Sequence, residues 1–151
     1  MAELIVQFFK YALAGGFATA VDIAVFYLVS WKLIPALLEI DPVVNKLGLT
    51  VKPVTEAQRS SRFIINTLIA FMISNMTAYI INALWVFPPS PHSWWIAVLL
   101  FYAVSGISVF IGTGLGWFMI KRFHLSTTAS YAGKLFASLM FNFVCRKYLI
   151  F

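Results

Sequence analysis

The sequence predicts an all-α membrane protein with four transmembrane helices. Hydrophobic residues make up 62% of the 151 residues and charged residues only 11%, and the mean hydropathy is +0.90. A globular domain averages about 25% charged residues, so most side chains here face lipid or another helix. The apolar residues form four runs, at positions 8–31, 63–87, 94–119 and 127–151.

Each run is long enough to cross a bilayer as a helix. A hydrocarbon core about 30 Å thick needs roughly 20 apolar residues at about 1.5 Å per residue. The runs lack the alternation of strands, and backbone groups in lipid must bond within the structure, so helices are predicted rather than a barrel. The first run exceeds the apolar part of a signal peptide and carries Lys10 and Asp22, so we expect it to be a span.

The longest connection, residues 32–62, joins the first and second runs. Its early part mixes apolar and charged residues, which is typical either of an amphipathic segment on the bilayer surface or of a plain loop. The connections at 88–93 and 120–126 are short, so the third and fourth spans should form an antiparallel hairpin. Residues 1–151 are interpreted as a single transmembrane domain.

Two short internal similarities favour a repeat of two helical hairpins. Residues 11–15, Tyr-Ala-Leu-Ala-Gly, are similar to residues 102–106, Tyr-Ala-Val-Ser-Gly. Residues 82–87 end the second run much as residues 146–151 end the fourth, each closing on a phenylalanine. Two spans per unit would give parallel repeats related by an axis along the membrane normal, and transporters often bind substrate at a repeat interface.

Charge and motif content exclude several function classes. The net charge is +6 and the pI about 9.7, but the basic residues are scattered among helix ends, which favours lipid headgroups or anionic lipid-linked substrates over nucleic acid. Cys145 is the single cysteine, and His92 and His124 lie far apart, so neither a disulfide nor a metal site is predicted. No nucleophile with an adjacent base and no phosphate loop occurs, so we expect neither catalysis nor a cofactor.

Asp22 is an ionisable group inside the first span, about 21 Å along it at 1.5 Å per residue. Such groups are functional candidates in membranes. Ala14 and Ala18 share its helix face, so the carboxylate is predicted to point into the bundle. It either takes part in transport or pairs with a neighbouring helix.

The fourth span carries a polar stripe at i+4 spacing, about 18 Å long, formed by Lys134, Ser138, Asn142 and Arg146. The second span offers a partner stripe of Asn75, Tyr79 and Asn82. One interpretation is a pathway whose cationic ends suit a phosphate. The other is that the cations reach to the interfaces while the amides and hydroxyls join helices.

Gly112 and Gly116 in the third span have the GxxxG spacing of close helix packing, within the chain or between protomers. A homodimer through this face is therefore one expectation.

Three segments resemble the GtrA-like family: residues 9–22, the motif Asn82-x-x-Trp85-Val86-Phe87, and residues 142–151. The resemblance covers nearly the whole chain. It implies a small plasma-membrane protein of cell-surface polysaccharide assembly that translocates polyprenyl-phosphate-linked sugars. It also implies a membrane glycosyltransferase as partner and cytoplasmic termini, whereas the positive-inside rule alone would place the termini outside.

A lipid-linked sugar phosphate needs cations near the headgroups, polar groups for the sugar and an open apolar flank. For such a substrate, Lys10, Arg146 and Lys147 are expected to hold the phosphate. The expected sugar or pathway residues are Asp22, Asn75, Tyr79, Asn82, Lys134, Ser138 and Asn142.

Two other functions remain open from the sequence. Four short helices, many aromatic residues and one embedded acid are also typical of a small multidrug-type, proton-coupled exporter. Alternatively, the chain is a nontransporting partner subunit of a membrane glycosyltransferase, with its polar stripes serving as helix contacts.

Overall fold

The computed structural model describes residues 2–123 and 127–151, and the side chain of Lys134 lies outside the described part. The described residues form helices and connections without a strand, so the all-α prediction is confirmed. The long helices are α1 (Ala2–Leu28), α3 (Glu56–Ile81), α4 (Trp94–Phe123) and α5 (Thr127–Cys145), and α2 (Pro42–Leu47) is short.

Three of the long helices end in a five-residue π-helical turn. These turns are Val29–Leu33 after α1, Asn82–Val86 after α3 and Arg146–Ile150 after α5. Each is closed by the amide of the next residue, with N···O distances of 2.8 Å at Ile34, 2.9 Å at Phe87 and 3.0 Å at Phe151. Single π turns are rare and frequently occur at functional sites.

Within the described residues, three helical stretches are long and apolar enough to cross a membrane: Glu3–Leu33, Glu56–Val86 and Trp94–Gly112. The chain is therefore a multi-pass membrane protein. The fourth span stays a prediction.

Helix α3 begins inside the connection predicted at 32–62. Thr55 and Gln58 form a reciprocal capping box: the Gln58 amide donates to Thr55 Oγ1 (3.3 Å) and the Thr55 amide to Gln58 Oε1 (3.2 Å). The apolar run predicted from hydropathy starts at residue 63, whereas the helix starts at Glu56. The two differ because residues 56–62 are largely polar, although they form the first turns of the helix.

The same connection contains α2, which starts with Pro42 at its first turn and stops at Gly48. Gly48 has φ 61°, in the left-handed region that glycine adopts without steric cost. The connection thus includes a short helix with proline at its start and glycine after its end.

The chain divides into two compact units, and the boundaries fall within α1 and α3. The first unit comprises residues 1–14 and 79–151, and the second comprises residues 15–78. The core of the first unit is aromatic-rich and contains Tyr11, Ala14, Val86, Phe87 and Phe143. Phe87 stacks on Phe151, with ring centroids 5.0 Å apart and planes inclined by 8°.

The second unit is held together by polar contacts between the end of α1 and the start of α3. Asn66 is fully buried, and its Nδ2 donates to Ser30 Oγ (2.8 Å) and to the Ile34 carbonyl (3.0 Å). Arg62 Nη1 donates to the Pro35 carbonyl at 3.0 Å. Two of these bonds satisfy the carbonyls of Ile34 and Pro35, the residues that follow the end of the helix.

Candidate anion-binding site

A cavity of 720 Å³ in the first unit brings two of the predicted phosphate-binding residues together. Its walls come from the start of α1, the π turn after α3, the following connection and the π turn after α5. The lining residues are Glu3, Leu4, Val6, Gln7, Lys10, Val86, Pro88 and Lys147. Lys10 and Lys147 lie 137 positions apart in the sequence, so tertiary structure alone joins them.

Gln7 holds Lys147 in the cavity wall. Lys147 Nζ donates to Gln7 Oε1 at 2.7 Å, while Gln7 Nε2 donates to the Val86 carbonyl at 3.2 Å. The amide therefore uses its acceptor and its donor at once, which fixes its orientation. An ammonium group has three donors, and Gln7 accepts one of them, so Lys147 keeps binding capacity for an anion.

Lys10 is oriented by an aromatic side chain, because its Nζ lies 5.5 Å from the Trp85 ring centroid. Neither Lys10 nor Lys147 has an ion-pair partner among the described residues. Glu3 is the one acidic residue of the lining, so two lysines and one glutamate leave a single net positive charge. The cavity therefore favours an anionic group.

One flank of the cavity is apolar and open to the surroundings. Leu4 and Val6 line it and are 43% and 54% exposed. In a membrane-spanning helix such side chains face lipid, so a hydrocarbon chain can lie against them while a charged group sits at the lysines.

Arg146 has a different environment, although it precedes Lys147 in the same π turn. It is 6% exposed and absent from the cavity lining. Its Cζ lies 3.7 Å from the Phe101 centroid and 5.5 Å from that of Tyr11, and its Nη2 donates to Ser105 Oγ at 2.9 Å. Arg146 Nε has no hydrogen-bond partner within the described structure, and no described carboxylate pairs with the guanidinium.

A buried guanidinium without a carboxylate is costly unless other groups compensate for the loss of water. The rings of Phe101 and Tyr11 supply part of that compensation through cation–π contact. The remaining donor at Nε makes Arg146 a second candidate for contact with an anion.

The other polar residues of the fourth-span stripe contact α4. Ser108 and Ser138 each donate from Oγ to the other's carbonyl at 3.2 Å, and Asn142 Nδ2 donates to Ser108 Oγ at 2.6 Å. Together with the Arg146–Ser105 bond, this pattern shows that α4 and α5 run antiparallel. The arrangement of Ser138 and Asn142 matches the helix-joining interpretation.

The stripe of α3 divides between the two units. In the first unit, Tyr79 packs against Phe101 (5.5 Å) and Phe151 (6.2 Å), and Asn82 is fully buried at the start of its π turn. Asn75 is buried in the second unit, where Asp22 Oδ1 accepts a hydrogen bond from Ser74 Oγ at 2.8 Å. The site at the lysines therefore contains fewer residues than the sequence predicts.

Three residues of these sites, Gln7, Trp85 and Ser105, were not predicted from the sequence. A single glutamine near the start of a helix has no spacing signal, and Trp85 was named only as part of the motif Asn82-x-x-Trp85-Val86-Phe87. Ser105 did have a signal, because it lies in the segment 102–106 that is similar to residues 11–15.

Residues 10–151 match the model of a family described as GtrA/DPMS, transmembrane domain. No curated protein and no solved structure matches the chain. The matched range includes both cavity lysines and Arg146, whereas Glu3 and Gln7 lie before it.

Proposed function

Because the chain belongs to the GtrA/DPMS transmembrane family, we propose that it translocates polyprenyl-phosphate-linked monosaccharides across the plasma membrane for cell-surface polysaccharide glycosylation. The family is linked to glycosylation and polysaccharide synthesis. The observation that carries the proposal is the cavity in which Lys10 and Lys147 lie beside an exposed apolar flank.

The proposed substrate has three parts with different chemistry. Its phosphodiester carries one negative charge, which Lys10 and Lys147 bind by charge-assisted hydrogen bonds. Its hydrocarbon chain stays in lipid against Leu4 and Val6. Arg146 acts as a further anion contact during passage, and this role follows from its burial without a described carboxylate partner.

Under this proposal the chain is a carrier rather than a catalyst, and a membrane glycosyltransferase supplies its substrate. Asp22, Asn75, Tyr79, Asn82, Lys134, Ser138 and Asn142 are the proposed sugar or pathway residues. A homodimer through the glycines of α4 is part of the same proposal.

We further propose that α5 forms a fourth span and that the chain consists of two related hairpins. Ser90 Oγ donates to the Ile150 carbonyl, and His92 Nε2 lies 3.0 Å from the Leu149 carbonyl, so the end of α5 lies beside the connection from which α4 starts. The π turns after α3 and α5 are each followed by a phenylalanine, Phe87 and Phe151, and these two rings stack on each other. Both observations support a return crossing by α5.

The test is translocation of a labelled polyprenyl-phosphate monosaccharide in proteoliposomes that contain only this protein. We expect flux well above that of empty vesicles, and a loss of at least about tenfold in Lys10→Ala and in Lys147→Ala, since each removes a charge-assisted bond. Lys46→Ala is the matched control, because Lys46 is exposed on α2 and does not line the cavity. Flux that both cavity variants retain would contradict the proposed phosphate site.

A nontransporting partner subunit is the second candidate, and the α4–α5 contacts favour it. Ser138 Oγ and Asn142 Nδ2 both donate hydrogen bonds to Ser108, so these two groups join α5 to α4. Folded protein that gives no flux alone, but copurifies with a glycosyltransferase and raises its activity, would favour this second function.

A further inference from the structure

The second unit contains a cavity of 510 Å³ that has no part in the proposed translocation site. It lies where the end of α1, the following connection and the start of α3 meet. The wall residues that carry its chemistry are Phe26, Tyr27, Asp41, Glu56, Arg59 and Phe63.

The cavity retains one negative charge after its internal ion pair is counted. Arg59 Nη2 lies 2.8 Å from Glu56 Oε2, so these two charges offset each other. Asp41 Oδ2 accepts the Leu38 amide at 2.9 Å, which orients the carboxylate, but no described cation pairs with it. A negative cavity on a chain of net charge +6 selects against anions and favours a cation.

The aromatic residues narrow the class of cation. The Phe26 ring centroid lies 5.5 Å from those of Tyr27 and Phe63, so the three rings form one cluster in the wall of the cavity that Asp41 also lines. Aromatic rings attract cations through their quadrupole and also pack against carbon, and both properties suit an organic ammonium group. A metal ion would need several oxygen ligands, and the described residues contain no cluster of metal-binding side chains.

The position along the helices brings the cavity within reach of lipid headgroups. Glu3–Leu33 and Glu56–Val86 are each 31 residues long. At about 1.5 Å per residue they measure about 46 Å, which exceeds a hydrocarbon core of about 30 Å. Their end turns therefore extend into the headgroup layer, and Glu56 and Arg59 belong to the first turn of α3.

We propose that this cavity binds an organic ammonium group, whose charge pairs with Asp41 and whose carbon atoms pack against the aromatic cluster. Both an ethanolamine lipid headgroup and a free amine carry this chemistry. This site is independent of the proposed translocation function.

The experiment is a calorimetric titration of the full-length protein in detergent micelles. The ligands are short-chain phosphatidylethanolamine, short-chain phosphatidylglycerol and free ethanolamine. We expect phosphatidylethanolamine to bind and phosphatidylglycerol not to bind. Free ethanolamine that binds as tightly as the lipid identifies a soluble amine as the ligand, whereas binding of the lipid alone identifies the headgroup, and either result supports an ammonium site.

Asp41→Asn is the decisive variant, because the amide keeps an oxygen for the Leu38 amide and removes only the charge. We expect it to weaken binding by about tenfold, the effect of losing a hydrogen bond to a charged group. Glu39→Gln is the matched control, since Glu39 is an exposed acid of the same connection outside this cavity. Phe63→Leu should also weaken binding without changing the charge.

Three results would overturn the proposal. These are an absence of binding by both amines, equal binding of the anionic and zwitterionic lipids, and an Asp41→Asn variant that binds like the original protein. A melting temperature measured for each variant shows that it is folded before its affinity is interpreted.

Discussion

At Arg146, a guanidinium that is 6% exposed is supported by the hydroxyl of Ser105 and by the rings of Phe101 and Tyr11. Replacing a buried charge by an apolar side chain of similar volume is often neutral or stabilising. If Arg146 serves stability, its replacement by an apolar side chain should destabilise the protein. If Arg146 serves to bind an anion, the same replacement should leave stability unchanged and abolish transport.

For Arg146→Met, we expect the free energy of unfolding to stay within about 1 kcal/mol of its original value or to rise. Flux of the labelled lipid-linked sugar should nevertheless be lost. Thermal denaturation in detergent and the proteoliposome assay measure the two quantities. A variant that is strongly destabilised but still transports would assign Arg146 a purely structural role.

Gln7 fixes Lys147 through a 2.7 Å hydrogen bond. In Gln7→Glu the new carboxylate would pair with Lys147 and cancel the net positive charge of the cavity. We expect a KM for the lipid-linked sugar that is raised about tenfold or more, with a smaller change in the maximal rate, because binding is what the charge supplies.

Gln7→Met, which removes both hydrogen bonds but adds no charge, is the comparison for this experiment. It should raise the KM less than Gln7→Glu does. Equal effects of the two variants would show that Gln7 acts through packing rather than through the charge at Lys147.

The helices themselves show how local signals decide where elements begin and end. Proline and glycine delimit α2, and the capping box of Thr55 and Gln58 starts α3. By contrast, three long helices widen into π turns at their ends, and these turns have no recognisable cap in the sequence.

The capping box of Thr55 and Gln58 should stabilise the first turn of α3. Thr55→Ala should lower the free energy of unfolding by about 1 kcal/mol, the usual effect of removing a threonine cap. Thr67→Ala, at an exposed position within the same helix, is the control and should change it little. The free energy of unfolding of both variants is measured by circular dichroism in mixed micelles. Equal values for the two variants would show that the capping box does not stabilise the start of α3.

For the whole molecule, the decisive question is whether α5 crosses the membrane. If it does, the end of the chain lies on the same side as the connection before α4, as the contacts of Ser90 and His92 with the π turn after α5 support.

In a Cys145→Ser background, we therefore expect Ser93→Cys and Phe151→Cys to react with a charged maleimide from the same side of oriented vesicles. Arg122→Cys, at the opposite end of α4, should react from the other side. The labelling is measured by the mass shift of the protein. Reaction of Phe151→Cys from the side of Arg122→Cys would show that α5 does not cross.

Hydropathy alone was enough to predict an all-helical, multi-pass membrane protein, because it is a sum over neighbouring residues and each span satisfies its own backbone hydrogen bonds. The sequence also identified Lys10, Arg146 and Lys147 as the cations to consider. Only the tertiary structure separated their environments, placing Lys147 with Lys10 in a cavity and Arg146 among aromatic rings. It likewise joined Ser138 to Ser108 and Gln7 to Lys147, which lie 30 and 140 residues apart. Such contacts depend on how helices pack against one another. The residue spacing within one helix shows which side chains share a face, but not which residues of another helix pack against that face.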